Sequence, residues 1–158
     1  MKYTTHFQYN RLVKKIQNLE ELASEAAKRM GVAADFGDLR ENAEFQYAEE
    51  ERNEKLLIIK RFKGELRELR VVPIEFDITK VDIGKYVKVR EISTNDEKIF
   101  NIVGDGPIKI DLDEIPYKSP IGDGLCGLKI GDIAKIKIPI GIKNYEILEI
   151  GIYSPREG

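Results

Sequence analysis

The chain has 158 residues, a formal net charge of −2 at pH 7, 42% hydrophobic residues and 34% charged residues, a globular composition that excludes a disordered chain and a uniformly basic nucleic-acid binder. One cysteine, Cys126, and one histidine, His6, exclude an intramolecular disulfide and a His/Cys zinc site within a single chain, so any bound metal is expected to be a hard cation on oxygen ligands. No apolar run approaches the ~20 residues of a membrane span and the N-terminus lacks the apolar core of a secretory signal, so a cytoplasmic location with no membrane partner is expected.

The first predicted element is a long helix. Leu12, Ile16, Leu19, Ala23, Ala26, Met30 and Ala33 are separated by alternating steps of four and three residues. That spacing is a coiled-coil seam, apolar along one narrow side. GVAADFGDL (31–39) has no strong period and carries Gly31 and Gly37, which reads as a turn. Leu56, Ile59, Phe62, Leu66 and Leu69 form a second helical stripe, with no apolar stripe between Glu49 and Lys55. Pro73 is expected to end that helix. Two helices on one short connection predict an antiparallel hairpin, each arm reaching ~40 Å at 1.5 Å per residue.

Past residue 73 the composition turns to Ile, Val, Gly and Pro. KYVKVRE (85–91), EKIFNIV (97–103), IAKIKIP (133–139) and YEILEI (145–150) read as strands separated by Gly-rich turns. The expected class is therefore α+β, divided at residue 73: a helical hairpin over 1–73 and a sheet-containing domain over 74–158. His6 is expected at the surface. Cys126, between Leu125 and Leu128, is expected to be a buried thiol rather than a reactive one.

Charge is unevenly placed. Residues 35–51 hold seven acids against one base, Arg40, whereas residues 55–70 hold six bases against Glu65 and Glu68. The basic stretch suits either contact with RNA or pairing with acids four residues away on an exposed helix. Within the acidic stretch, Asp38-Leu39-Arg40-Glu41 fits a capping box, with Asp38 as N-cap and Glu41 at the third helical position. The same two carboxylates can instead converge on one cation. Mg²⁺ requires near-octahedral coordination, so two carboxylates amount to half a site, completed by another protein. Spacing alone leaves both readings open.

GDLRENAEF (37–45) resembles the hairpin-tip signature of the bacterial Gre transcript-cleavage factors, in its GreA-like form. Three later segments resemble the same family in the same order: NIVGDG (101–106), SPIGDGLCGLKIGD (119–132) and KNYEILEI (143–150). The similarity covers about residues 35–150. It implies an N-terminal coiled-coil hairpin followed by an FKBP-like α/β domain. It further implies a monomeric partner of bacterial RNA polymerase, docked near the mouth of the secondary channel. Ser119, Pro120 and Ile121 then belong to the polymerase-facing surface.

The hairpin of such a factor reaches through the channel to the nascent RNA 3′ end. By the resemblance, Asp38 and Glu41 are the catalytic and metal-holding residues, sharing a Mg²⁺ with the polymerase. The factor is then not an enzyme itself but stimulates cleavage of backtracked RNA by the polymerase. A channel binder that inhibits without promoting cleavage is the alternative, and a folding helper with an isomerase-like domain is a third reading. The chain departs from the family in three places. KYTTHFQYNRLVKK replaces the usual T-x-x-G opening, AEEERNEK (48–55) is more acidic than usual, and Asp123 stands where a base is common.

Overall fold

The computed structural model describes residues 1–38 and 42–157. Its elements are β1 (Lys2–Thr4), α1 (His6–Ala34), α2 (Ala43–Glu68), β2 (Leu69–Val71), β3 (Lys85–Glu91), β4 (Glu97–Val103), β5 (Glu114–Pro116), α3 (Pro120–Leu125), β6 (Ile133–Ile138) and β7 (Gly141–Ile152). The expected α+β class is borne out. The chain divides into two compact units, Asn10–Glu68 and Met1–Tyr9 with Leu69–Gly158. The expected division at residue 73 differs from this in two respects: the boundary falls between Glu68 and Leu69, and the first nine residues join the second half of the chain.

The helical unit is an antiparallel pair. The Lys15 ammonium sits 6.0 Å from the Phe62 ring centre and Lys63 lies 3.7 Å from Glu20, whereas Arg29, further along α1, pairs with Glu51, further back on α2, so the helices run antiparallel. On α1 the seam follows the expected residues: Leu12, Ile16, Ala23, Ala26 and Ala33 are buried, while Leu19 and Met30 are half-buried.

On α2 the seam differs from the expected stripe. Leu56 is 48% exposed and Leu69 already belongs to β2. The inward positions are Phe45, Ala48, Arg52, Lys55, Ile59, Phe62 and Leu66, an unbroken three-four alternation whose middle two residues are charged. Apolar pattern reading breaks at Arg52 and Lys55, yet their methylene stems cover apolar surface as a leucine would. Room for Arg52 comes from small neighbours: it shares one groove with Ala23, Ser24 and Ala27. The Arg52 Nε is buried without a hydrogen-bond partner, an arrangement that costs stability. Arg52→Leu is therefore expected to stabilise the protein by about 1 kcal/mol, read as a higher melting temperature. A lower one would show that the guanidinium is a net stabiliser.

The helix also ends earlier than expected. It stops at Glu68, five residues before Pro73, because the chain turns extended to pair Leu69–Val71 in parallel with Lys2–Thr4.

In the second unit five strands form a sheet in the order β5-β4-β3-β7-β6. All neighbours are antiparallel except β4 and β5. The expected strands 85–91 and 97–103 match β3 and β4, while the expected 145–150 lies inside a longer β7. Along β3 every second residue is buried and those between are half-buried. That alternation sends Val87 and Val89 into a core with Ile102, Leu125, Ile136, Tyr145 and Ile147.

The start of α1 is tied to this unit through Gln8. The Thr5 Oγ1 accepts from the Gln8 N–H at 3.2 Å, and the Thr5 N–H donates back to Gln8 Oε1 at 3.3 Å. This is a capping box, built where the usual T-x-x-G opening is replaced by Thr5-x-x-Gln8. The same glutamine brackets Gly104: Nε2 donates to the Gly104 carbonyl at 2.9 Å, and the Gly104 N–H donates to Oε1 at 2.8 Å. Gln8 is completely buried. Gly104 itself is required by close approach, since a Cβ there would lie 2.3 Å from the Tyr3 carbonyl oxygen.

Candidate functional site

The tip of the helical unit begins where α1 unwinds. The N–H groups of Asp35 and Phe36 fold back onto the carbonyls of Val32 and Ala33, closing the last turn. Asp38 follows, exposed to solvent. Glu41, the other expected metal-holding residue, lies outside the described residues with Leu39 and Arg40.

The cap of α2 is Asn42, not Asp38. The Asn42 side-chain oxygen accepts from the Phe45 N–H at 3.1 Å, and its carbonyl takes the first helical hydrogen bond, from Gln46 at 3.1 Å. The Asn42 side-chain amide donates to the Ala33 carbonyl at 2.6 Å, a second hydrogen bond on an acceptor that the Phe36 N–H already reaches from within the last turn of α1. One asparagine therefore caps both helices, and Asp38 stands four residues ahead of that cap. The capping-box reading of Asp38 and Glu41 misses this because D-L-R-E and N-A-E-F both place a good N-cap three residues before a helical position.

Among the described residues, no three His, Cys, Asp or Glu side chains gather closely enough to hold a metal ion. A carboxylate such as that of Asp38 is a hard oxygen ligand of the kind Mg²⁺ takes, and one alone falls short of the near-octahedral set the ion requires. Asp38 shares a concavity with Gly37, Asn42, Ala43, Phe36, which is 80% exposed, and Glu44, in the first turn of α2.

In the sheet unit, Ser119 caps α3. Its Oγ accepts from the Gly122 N–H at 3.1 Å and donates to the Pro116 carbonyl at 2.7 Å. Pro120 occupies the first helical position, where its missing N–H costs nothing. A Cβ at Gly122 would lie 2.1 Å from the Pro116 oxygen, so the turn excludes larger residues. Ile121 packs against the core and Pro120 is exposed. The residues expected to face a partner thus also build a tight strand-to-helix turn, and Pro120 is the outward one. Asp123, on the same short helix, is exposed as well. Beside the turn, Lys118 binds Asp105 at 3.1 Å, and this hydrogen bond raises the lysine pKa.

His6 is exposed and meets Phe7 edge-on with ring centres 5.4 Å apart. Cys126 is half-buried against the core, and loss of solvent together with nearby Asp82 and Asp123 pushes its thiol up to about 11. At pH 8 only roughly 10⁻³ of it is thiolate, so iodoacetamide should alkylate the folded protein about 10²-fold more slowly than a free thiol. The rate should keep rising from pH 9 to 11, where a free thiol levels off. Alkylation at the free-thiol rate at pH 8 would contradict this burial.

Two family patterns cover nearly the whole chain. "Transcription elongation factor, N-terminal" matches residues 2–71, and "Transcription elongation factor, GreA/GreB, C-term" matches residues 77–152. The chain belongs to the GreA/GreB family of transcription elongation factors. Among similar Gre proteins is "Transcription elongation factor GreA" of Thermosipho melanesiensis, 33% identical over 151 residues, which are 95% of this chain and 96% of that one. The GreA of Clostridioides difficile is 31% identical over 144 residues, covering 90% and 91% of the two chains.

Solved structures similar to this chain include the GreA factor homolog 1 (Gfh1) of Thermus thermophilus, with 18% identity, a TM-score of 0.42 and coverage of 94% and 97%. Another is a GreA/GreB factor from Nitrosomonas europaea, with 28% identity, a TM-score of 0.43 and coverage of 64% and 90%. No described helix is long and apolar enough to cross a membrane.

Proposed function

We propose that this Gre-family factor acts on RNA polymerase by inserting its acidic hairpin tip into the secondary channel and stimulating cleavage of the 3′ end of backtracked RNA. The observation that carries this reading is the tip itself. GDLRENAEF is intact, and Asn42 within it closes both helices, so Asp38 is not required as the cap of α2. An exposed carboxylate at the tip, ahead of the cap of α2, is what a shared metal site needs.

In this reading Asp38 and Glu41 are ligands contributed to a Mg²⁺ that the polymerase holds jointly. When bound, that ion would supply the charge stabilisation and water activation of phosphodiester hydrolysis. The protein's part is to bring two carboxylates to the polymerase active site on a rigid support. Asn42 fixes the geometry of that support by joining the last turn of α1 to the first turn of α2. In this reading Pro120, exposed on the Ser119-capped turn, is the residue of that segment that meets the polymerase surface. The protein is not a nuclease alone, because two carboxylates leave a Mg²⁺ site incomplete.

The test is direct. Stalled, backtracked elongation complexes receive the purified protein with Mg²⁺, and RNA length is followed. Shortening from the 3′ end is expected. Polymerase binding without shortening would instead support a factor that occupies the channel and inhibits.

A further inference from the structure

Phe36 is 80% exposed, and it lines one open concavity of ≈ 610 Å³ together with Gly37, Asp38, Asn42, Ala43 and Glu44. Single exposed apolar residues are common and need no partner; what distinguishes this one is its place beside carboxylates at the working end of the hairpin. Seven acids against one base over residues 35–51 make that end repel phosphate, so it cannot hold RNA by the backbone. The acids also make it a poor surface to bury against an apolar protein partner, because their charge would lose its solvent.

A nucleobase suits this surface better than either. Its face is apolar enough to stack on an aromatic ring, and its edge carries donors that a carboxylate accepts. The Asn42 side chain is already engaged with Phe45 and Ala33 and Asp38 is given to the metal in the reading above, which leaves Glu44 as the acceptor lining the same concavity as the ring.

We infer that Phe36 and Glu44 form a platform for one base of the RNA 3′ segment, the ring stacking on the base face and the carboxylate accepting from an exocyclic amine. The inference rests on the channel-insertion reading above and adds a positioning role to it: a stacked base holds the adjacent phosphodiester near the tip acids. Adenine, cytosine and guanine carry an exocyclic amine and uracil does not, so the platform favours a 3′ cytosine over a 3′ uracil.

Two measurements on backtracked complexes with the full chain test it. In the first, cleavage is compared for wild type, Phe36→Ala, Phe36→Tyr and Glu44→Gln on RNAs ending in C, in U or in an abasic nucleotide. Phe36→Ala is expected to lower the rate at saturating factor about ten-fold on the C end. Phe36→Tyr is expected to keep the rate, and Glu44→Gln to lose the preference for C. On the abasic end, wild type and Phe36→Ala should be equal. A Phe36→Ala defect that persists on abasic RNA would mean that the ring meets protein, and overturns the platform.

In the second, 2-aminopurine at the RNA 3′ end reports stacking in Ca²⁺, with no cleavage required. Wild type should quench its fluorescence and Phe36→Ala should not. Quenching that depends on Phe36 without any cleavage in Mg²⁺ would overturn the cleavage reading and leave the platform standing. Cleavage by wild type with quenching and rates indifferent to Phe36 would overturn the platform alone.

Discussion

Gln8→Ala is expected to destabilise the protein by about 3 kcal/mol. The glutamine is completely buried, and its side chain alone serves the N–H of Thr5 and both backbone groups of Gly104. Each buried polar group left without a partner costs about 1–3 kcal/mol, and the methylenes removed leave a small void besides. Chemical denaturation of the wild type and the variant measures the difference. Gln8→Glu separates the contributions. The carboxylate still accepts from Thr5 and from the Gly104 N–H, but it faces the Gly104 carbonyl with an acceptor. That variant should lose stability at neutral pH and recover part of it in acid, where the introduced carboxyl protonates and donates again. A loss below 1 kcal/mol for Gln8→Ala would show that the bracket around Gly104 does not hold the start of α1 to the sheet unit.

The second large effect concerns activity rather than stability. Asp38→Asn is expected to lower RNA cleavage about 10- to 100-fold, the usual range when a group that tunes a metal site is removed. It should leave the melting temperature almost unchanged, because Asp38 is exposed and the cap of α2 is Asn42. Asn42→Ala should do the reverse first: it removes the cap of α2 and the tie to the Ala33 carbonyl, costing about 1 kcal/mol or more. Thermal melts and cleavage assays on the same three proteins separate these roles. Equal cleavage by wild type and Asp38→Asn would remove Asp38 from the chemistry.

Much of this architecture was legible before any coordinates. The α1 seam reads directly because all seven of its inward residues are apolar. β3 and β4 read because period-two alternation and flanking turns bound them on both sides. The α2 seam does not read, because Arg52 and Lys55 occupy two inward positions and pattern reading counts a charge as outward, whereas long basic side chains bury their stems. Leu69 fits a helical stripe equally well, and only its pairing with Lys2 across the chain makes it a strand. Such parallel pairing joins three-residue strands far apart in sequence, which no local window detects.

At the tip, spacing identified the right segment but the wrong cap. Asp38 and Asn42 are both good N-cap residues, and what favours Asn42 is a hydrogen bond to the far helix, at Ala33. The Thr5-x-x-Gln8 box, by contrast, was available as a sequence signal. Its second task, bracketing Gly104, depends on a contact 96 residues away and was not. Ser119 and Pro120 show the same limit from the other side. Their N-cap and first-turn chemistry explains the local turn fully, so a docking role is additional to that turn and is not needed to account for it.

The central claim, that Asp38 and Glu41 are half of a metal site completed by RNA polymerase, is tested most directly by a Mg²⁺ titration of RNA cleavage. Backtracked complexes saturated with wild type, Asp38→Asn or Glu41→Gln are followed across Mg²⁺ concentrations. Each variant should need a higher Mg²⁺ concentration for half-maximal rate, with partial recovery as Mg²⁺ rises. Variants that match the wild type in both rate and Mg²⁺ requirement would contradict it.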